Sequence, residues 1–413
     1  MTPPAPDRRR PWSLVALLVA QGVSVTGNRI SLLALPWFVL ETTGSATRTG
    51  LVAAANVLPM VVAGALAGPL IDRVGLQRTS VAADLASGAT IALIPLLHGA
   101  GVLSFGRLIA LVLAGALLDA PGETARRALI PDLAARAGMP LTRATSLHET
   151  TFRLTLLLGG PLAGLLIATV GATDALLVDA VTFAASAALI ATVGRVAAHR
   201  GSEDPGNYLK RLREGWSFLR RDPLMPSFLG VFMAANVLEN ALMAVLLPVY
   251  AERVLGSATA LGLMVGAVGA GAVTGALLYG AFGTGRSRRS VLLPVLAVAG
   301  APKYLLLAGA PPAAVAIAGL GLAALAIGPV NPISGAVQLE RIPAELRGRV
   351  VGLVTASVTA TIPVGLLAAG WAVEAVGLRA TLLVGAVAYA LTTAVPFVHP
   401  AWRRLDDAPV PRP

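Results

Sequence analysis

Several charged residues of this 413-residue chain stand within long apolar stretches, where ions are costly and usually functional. Glu149 and Glu239 are acids, and a carboxylate shielded from water can bind and release a proton. We expect Glu239 to be the carboxylate that couples proton movement to the activity of the protein, with Glu149 as the second candidate. The alternative is purely structural: Arg29 neutralises Glu239, and Arg153 neutralises Glu149 from one helical turn away.

Three asparagines in the same stretches, Asn28, Asn236 and Asn240, offer hydrogen-bonding groups that cannot titrate. Together with Arg29 and Arg153, we expect them to supply the polar part of an otherwise apolar cavity. Such a mixture suits bulky amphipathic molecules. Most of these side chains can also be explained by helix packing alone.

The residue groups of common enzymes do not stand out in the sequence. There is no nucleotide-binding P-loop, no nucleophile motif and no HExxH zinc motif, and cysteine is absent. The four histidines are scattered along the chain, at His98, His148, His199 and His399. We therefore expect no enzymatic activity, no metal and no bound cofactor.

Long apolar segments must position the charged and polar residues. The chain is 56% hydrophobic and only 13% charged, and apolar runs of about 20 residues, enough to cross a bilayer, recur along it. This pattern predicts an all-α membrane protein with twelve transmembrane helices. The predicted spans are 12–40, 48–70, 79–98, 105–122, 144–169, 173–193, 225–251, 258–281, 290–309, 313–335, 348–374 and 379–398.

The chain repeats itself once, at an offset of 212 residues. The segment 36–51 returns at 248–263, and Gly44-Ser45-Ala46-Thr47 matches Gly256-Ser257-Ala258-Thr259. A second offset, 206, aligns Gly171 with Gly377. Because each half holds six predicted spans, we expect two parallel six-helix repeats, related by an axis along the membrane normal.

The net charge of +11 is placed asymmetrically. Twenty-five basic residues fall on the side of the amino terminus and four on the opposite side, with three inside the predicted spans. Cytoplasmic loops carry such an excess, so both termini are predicted to be cytoplasmic. The charge therefore orients the protein, and nucleic acid is not expected as a partner.

Four parts are predicted along the chain. They are an amino-terminal six-helix bundle, a cytoplasmic linker with an amphipathic helix, a carboxy-terminal six-helix bundle and a cytoplasmic tail, over residues 1–193, 194–222, 223–399 and 400–413 respectively. The linker places Tyr208, Leu212 and Trp216 on one apolar stripe, which suits a helix lying on the membrane surface. The Pro-rich tail is expected to be disordered.

The predicted loop after the second span carries a recognisable motif. It contains Gly68, Asp72, Arg73, Gly75 and Arg78 in the order Gly-Pro-Leu-Ile-Asp-Arg-Val-Gly-Leu-Gln-Arg. This order resembles the signature loop of the major facilitator superfamily. The resemblance implies a loop that gates transport, its arginines pairing with acids such as Asp119. The second copy, 280–290, keeps basic residues but loses the acid.

Two further motifs resemble exporters of that superfamily. Gly160, Pro161 and Gly164 are similar to the core of the drug–proton antiporter motif, although Leu165 replaces its last glycine. The segment around Asn28 resembles the branch with macrolide, tetracycline/aminoglycoside and enterobactin exporters. Many members of that branch carry Asp where this chain has Asn28. Because Asn cannot titrate, the coupling proton must be carried elsewhere in this chain.

The resemblance covers essentially the whole chain and implies a secondary-active efflux transporter in the bacterial inner membrane. It would export amphipathic, drug-like molecules such as macrolides or tetracyclines by alternating access, driven by proton antiport and not by ATP hydrolysis. A siderophore or natural-product exporter, a lysophospholipid flippase, an importer and a membrane scaffold remain open. We expect a monomer that is surrounded by lipid. Asp179 and Lys303 are expected on sides of the bundles that line the transport path less often.

Overall fold

The computed structural model describes residues 10–194, 216–217, 219–283, 285–343 and 346–406. These residues are helical, with short connections and no strand among them. Contacts divide the chain into two compact units. The first unit runs to Ser202 without Thr43–Gly50, which group with the second unit.

The first unit is built from five helical stretches. They are α1 (Arg10–Thr43), α2 (Ala46–Val74), α3 (Leu76–Gly99), α4 (Phe105–Arg136) and α5 (Leu141–Ala191). Helix α3 packs against both α4 and α5. A buried cluster at one end of the unit joins α1, α4 and α5 through aliphatic side chains, including Leu17, Leu129 and Ile190.

Nine further α-helices of the second unit lie wholly within the described residues. They are α6 (Met225–Ala241), α7 (Leu247–Tyr250), α8 (Ala258–Leu278), α9 (Arg288–Ala299), α10 (Ala301–Ala308), α11 (Ala313–Ile327), α12 (Val330–Arg341), α13 (Arg347–Val376) and α14 (Leu378–Val398). Short π-helical segments at Leu242–Leu246 and Ala251–Leu255 connect α6 and α7 into one stretch, Met225–Leu255. Helix α6 packs against α13 and α14, and α8 packs against α11.

Ten helical stretches of the described residues are long and apolar enough to cross a membrane. One of them, α5, has 51 residues and would reach about 75 Å as a straight helix, more than twice the apolar thickness of a bilayer. Gly171 interrupts it with φ 87° and ψ 162°, so α5 consists of two helical segments. The all-α membrane fold is confirmed, whereas the number of twelve spans and the side of the termini stay predictions.

Glycines at repeated positions adopt matching backbone conformations. Gly44 and Gly256 have φ of 64° and 58°, and Gly171 and Gly377 have φ of 87° and 84°. Side chains are rarely tolerated at such angles, which explains why glycine stands at both positions of each pair. The two sequence offsets thus correspond to turns of the same geometry in the two halves.

The carboxy-terminal segment corrects the expectation of a disordered tail. Pro400–Arg404 form a 3₁₀-helix, and Trp402 is completely buried. Its ring stacks on Phe228 with a centroid distance of 5.6 Å, and its Nε1 donates to Ser227 Oγ at 2.9 Å. Burial of this large aromatic side chain outweighs the cost of ordering a short Pro-rich segment. Residues 407–413 lie outside the described part.

Most of the predicted linker helix also lies outside the described residues, including Tyr208 and Leu212. Its last part is described. Leu219 is buried in the core of the second unit, and Asp222 Oδ1 accepts hydrogen bonds from the backbone N–H groups of Leu224 and Met225. A carboxylate at this place satisfies free donors at the start of α6.

Candidate functional site

A hydrogen-bonded ion pair lies in the interior of the first unit. Arg126 of α4 donates from Nη1 to Asp84 Oδ1 of α3 at 2.5 Å, and from Nε to Gln21 Oε1 of α1 at 2.8 Å. Ser186 of α5 donates to the other oxygen of Asp84 at 2.7 Å. Arg126 and Asp84 are both fully buried, so their charges must be compensated locally. The network connects α1, α3, α4 and α5.

Arg126 lies beyond the predicted fourth span, which ends at residue 122, and belongs to the twenty-five basic residues counted on the side of the amino terminus. Helix α4 continues to Arg136, well past the predicted end at residue 122. The added turns carry Arg126 inward to Asp84, while Arg127 stays exposed and pairs with Glu123 at 2.7 Å. Adjacent residues of a helix point in different directions, and for this reason Arg126 is buried while Arg127 is exposed.

Asp119 lies beside this network. One of its oxygens accepts a hydrogen bond from Asn28 Nδ2 at 3.1 Å, and the other lies 3.8 Å from Arg126 Nη2. The expected partners were the loop arginines. Asp119 lies on α4, so its side chain contacts Asn28 of the neighbouring α1 and lies near Arg126 of its own helix. Its role in gating stays a prediction.

A cavity of about 220 Å³ opens between the helices of the first unit. Its walls are largely apolar, from side chains such as Val25, Ile91 and Phe183. Eight polar or charged side chains also line it, namely Asn28, Arg29, Ser31, Asn56, Ser87, Asp119, Glu123 and Asp179. The cavity thus combines apolar surface with both signs of charge, as sites for amphipathic molecules do.

Asp179, which was expected on a side of its bundle that lines the transport path less often, lies on the wall of this cavity. It is fully buried, and it accepts hydrogen bonds from the hydroxyls of Ser31 and Thr182. Gly27 on α1 lies so close to Asp179 and Thr182 that a side chain there would collide with them. The sequence signal for this contact was the spacing of Gly27 and Ser31, which lie one helical turn apart on α1.

Arg29 also lines the cavity. Its guanidinium lies 5.8 Å from the centroid of the Phe152 ring, within the range of a cation–π contact, and its stem packs against Gly159 of α5. Gly160 and Gly164 of the antiporter-like motif are buried in the same helix, next to Pro161. The absence of a side chain at Gly159 leaves room for the long side chain of Arg29. An approach of Arg29 to Glu239 stays a prediction.

Glu149 and Arg153 form an ion pair at 2.8 Å on α5. Their side chains are 54% and 61% exposed. The two residues are one helical turn apart, as the sequence suggested, and the pair is local to α5. Exposed pairs of this kind contribute little to stability, typically below about 1 kcal/mol.

In the second unit, Glu239 of α6 pairs with Lys303 of α10. Lys303 is 3% exposed and Glu239 is 28% exposed. The Lys303 ammonium also lies 5.5 Å from the centroid of the Tyr389 ring, and Tyr304 donates to the backbone oxygen of Leu238 at 2.7 Å. Lys303 was expected on a side of its bundle that lines the transport path less often; within the described part of this unit it is the cation that contacts Glu239.

The asparagines of α6 lie one turn above each other. Asn240 Nδ2 donates to the backbone oxygen of Asn236 at 2.9 Å and to its Oδ1 at 3.0 Å. Asn236 also lines a second cavity, of about 160 Å³, with Phe232, Asn331 and Gln338. The second unit therefore holds its own small pocket of mixed polarity.

The residues of the signature loop lie at the junction of α2 and α3. Gly68 and Asp72 lie in α2, and Asp72, Arg73 and Arg78 are exposed. Gly75 separates the helices with φ 88°, an angle that favours glycine. In the second copy of the loop, Arg288 binds Glu340 through two contacts of 2.6 and 2.7 Å, and its backbone N–H donates to Asp406 at 2.6 Å. Glu340 and Asp406 thus place acids near the second copy of the loop, which lacks the acid of the first copy.

In the part of the chain that the structure describes, no three His, Asp or Glu side chains group as metal ligands. The arrangement in both units is instead one of acids, bases and amides set in apolar surroundings. Such groups can bind a polar or charged substrate part and can exchange protons.

Comparison with known proteins gives matches along nearly the whole chain. Residues 3–410 match the family described as Transmembrane secretion effector. The chain is 32% identical over 406 residues to the Multidrug efflux pump Tap of Mycolicibacterium fortuitum, which covers 96% of this chain and 98% of that protein. It is also 32% identical over 399 residues to the Multidrug efflux pump Tap of Mycobacterium tuberculosis (strain ATCC 25618 / H37Rv), covering 95% and 94%.

A solved structure gives the same fold at much lower identity. The nucleoside transporter NupG superimposes with a TM-score of 0.76 at 14% identity, covering 94% of this chain and 98% of that chain. At this identity the likeness concerns the fold alone.

Proposed function

Because the chain belongs to the Transmembrane secretion effector family, within the major facilitator superfamily of exporters, we propose that it exports amphipathic, drug-like molecules by alternating access in exchange for protons. Family membership and the apolar helices identify it as a multi-pass protein of the bacterial inner membrane. The likeness to relatives named as multidrug efflux pumps supports the substrate class, and macrolides and tetracyclines are the compounds we propose.

The observation that carries the proposal is the Glu239–Lys303 pair, which joins two largely apolar helices, α6 and α10. When Glu239 is ionised, Lys303 compensates its charge. Protonation of Glu239 cancels this attraction and leaves the Lys303 charge without its anion, which is costly at this depth. Proton binding therefore changes which arrangement of α6 and α10 is favoured. This is the property that an antiporter needs.

Glu149 is the second proposed carrier, because it too pairs with a basic residue, Arg153. Its greater exposure makes the energetic effect of protonation smaller than at Glu239. We further propose that the chain crosses the membrane twelve times, with both termini in the cytoplasm. Its four parts would have the residue boundaries given above, and the protein would be a monomer. Opposite movements of the two units would then carry the substrate across.

Transport in proteoliposomes tests the proposal. We expect purified protein to accumulate tetracycline or erythromycin against a concentration gradient when a pH gradient is imposed. Glu239→Gln should abolish this accumulation, because the amide cannot carry a proton, yet retain tetracycline exchange at equal pH on both sides. Glu252→Gln is the matched control, since Glu252 belongs to the same helical stretch and lies beside Arg253.

Wild-type accumulation in Glu239→Gln would contradict the role of this residue. Stimulation by lysophospholipid instead of the antibiotics would favour a flippase, and a siderophore as the accumulated compound would favour the natural-product exporter. A complete lack of pH-driven transport for all three compound classes would contradict the proposed function.

A further inference from the structure

We propose that Asp179 binds and releases a proton during the transport cycle, as an acid of the first unit that acts in addition to Glu239. This inference rests on the proposed proton-driven export. It arises from the contacts, the burial and the cavity position of Asp179 rather than from any motif in the sequence.

The hydrogen-bond partners of Asp179 suit two protonation states. Ser31 from α1 and Thr182 from its own helix both present hydroxyl groups to the carboxylate. A hydroxyl can donate to an ionised carboxylate, and it can also accept from a protonated one. The same partners therefore satisfy Asp179 before and after it takes up a proton.

Asp179 differs from the other fully buried acid of the first unit. Asp84 is held by Arg126, which compensates its negative charge. Among the described residues, no ion pair within 4.0 Å includes Asp179. An uncompensated buried carboxylate costs several kcal/mol, so this acid is favoured in its neutral, protonated form until a cation or water approaches. Asp84 is thus built to keep its charge, and Asp179 to lose it.

The cavity gives the proton a route and gives the ionised acid a counter-charge. Asp179 shares the cavity wall with Arg29 of α1 and with Asp119 and Glu123 of α4. The buried acid of α3, Asp84, is paired with Arg126 of α4. Arg29 is the cation on this wall that can balance Asp179 after proton release. When Asp179 is protonated, Arg29 remains available to Asp119 and Glu123.

Asp119 is less suited to this role. It already accepts a hydrogen bond from Asn28, and Arg126 lies 3.8 Å away. A nearby cation favours the ionised state of a carboxylate. The geometry therefore singles out Asp179 as the acid whose charge can change with the smallest rearrangement of its neighbours.

Infrared difference spectroscopy between alkaline and acidic pH tests the inference without any substrate. The purified wild-type protein should show the C=O stretching band of a carboxylic acid in an apolar environment, and Asp179→Asn should lose it. Asp174→Asn is the matched control, because Asp174 lies in the same helical segment but is exposed. A band of equal intensity in wild type and Asp179→Asn, or no such band in the wild type, would overturn the inference.

A second variant covers the case in which Asp179→Asn does not fold. Ser31→Ala keeps the carboxyl group and removes one hydrogen-bond partner, so the band should shift in frequency; an unshifted band would overturn the inference. In proteoliposomes, Asp179→Asn should lose pH-driven tetracycline accumulation and keep exchange at equal pH. If the wild type accumulates no tetracycline but its band disappears in Asp179→Asn, the proposed function fails while proton binding by Asp179 stands.

Discussion

The acids within the helices of this protein differ in the groups that face them, and this difference decides what each can do. Asp84 faces Arg126, Glu239 faces Lys303, and Asp179 faces two hydroxyls. The presence of acids in apolar stretches was readable from the sequence, because it needs only residue types. Their partners were not, because Arg126 lies 42 residues from Asp84 and Lys303 lies 64 residues from Glu239.

The Glu239–Lys303 pair leads to a prediction on stability. Glu239→Gln should lower the free energy of unfolding by about 3 kcal/mol, because it strands the charge of the nearly fully buried Lys303. Lys303→Met should cost less, since Glu239 is 28% exposed and can be solvated in part. The double variant should recover most of the loss. Denaturant unfolding of the four proteins in detergent measures this cycle.

Additive losses in the double variant would contradict the pair as an energetic unit. The double variant also separates folding from coupling. We expect it to regain stability and still lack pH-driven accumulation, because it holds no titrating group at position 239.

At the scale of elements, the boundaries of helices follow from turn chemistry where glycine is present and from packing where it is not. The breaks at Gly75, Gly171 and Gly377 lie between consecutive predicted spans, since only the local backbone conformation is involved. The extension of α4 to Arg136 did not follow from hydropathy. Its last turns are polar on one face and are held by buried residues such as Leu129 and Leu133 on the other.

Gly171 gives the prediction at this scale. Gly171→Ala should lower the free energy of unfolding by about 1–3 kcal/mol, because φ 87° with ψ 162° is a region that side chains rarely adopt. Gly377→Ala should cost a similar amount, as the repeat implies. Gly99→Ala is the control: Gly99 is helical, and a Cβ there meets open space. Thermal unfolding in detergent measures all three. Equal stability of Gly171→Ala and Gly99→Ala would argue against a required break in α5.

For the whole molecule, the two compact units and the duplicated glycine turns agree with a chain built from two similar halves. Thr43–Gly50 form an exception, since they group with the second unit. In this segment Thr47 donates to Glu374 of α13 through its backbone N–H at 3.0 Å and its hydroxyl at 2.5 Å. The repeat alone did not indicate this contact, because it depends on one unduplicated acid.

The predicted orientation in the membrane can be measured directly, because the chain has no cysteine of its own. A cysteine at Val102, which is 47% exposed between α3 and α4, should react with a membrane-impermeant maleimide added to intact cells. A cysteine at the exposed Arg143, at the start of α5, should react only after permeabilisation. The opposite result would reverse the orientation, and reaction of both sites in intact cells would contradict the assigned spans.

The sequence by itself determined the membrane class, the duplication, the signature loop and the presence of titratable groups in apolar helices. Each of these depends on residue type and local spacing. Only the tertiary structure decided that Arg126 is buried, that Lys303 faces Glu239, and that Asp179 reaches a cavity in the company of Ser31, 148 residues away. These outcomes depend on how each helix is rotated and which neighbour it packs against. In helices that are apolar nearly all round, no hydrophobic stripe reports that rotation.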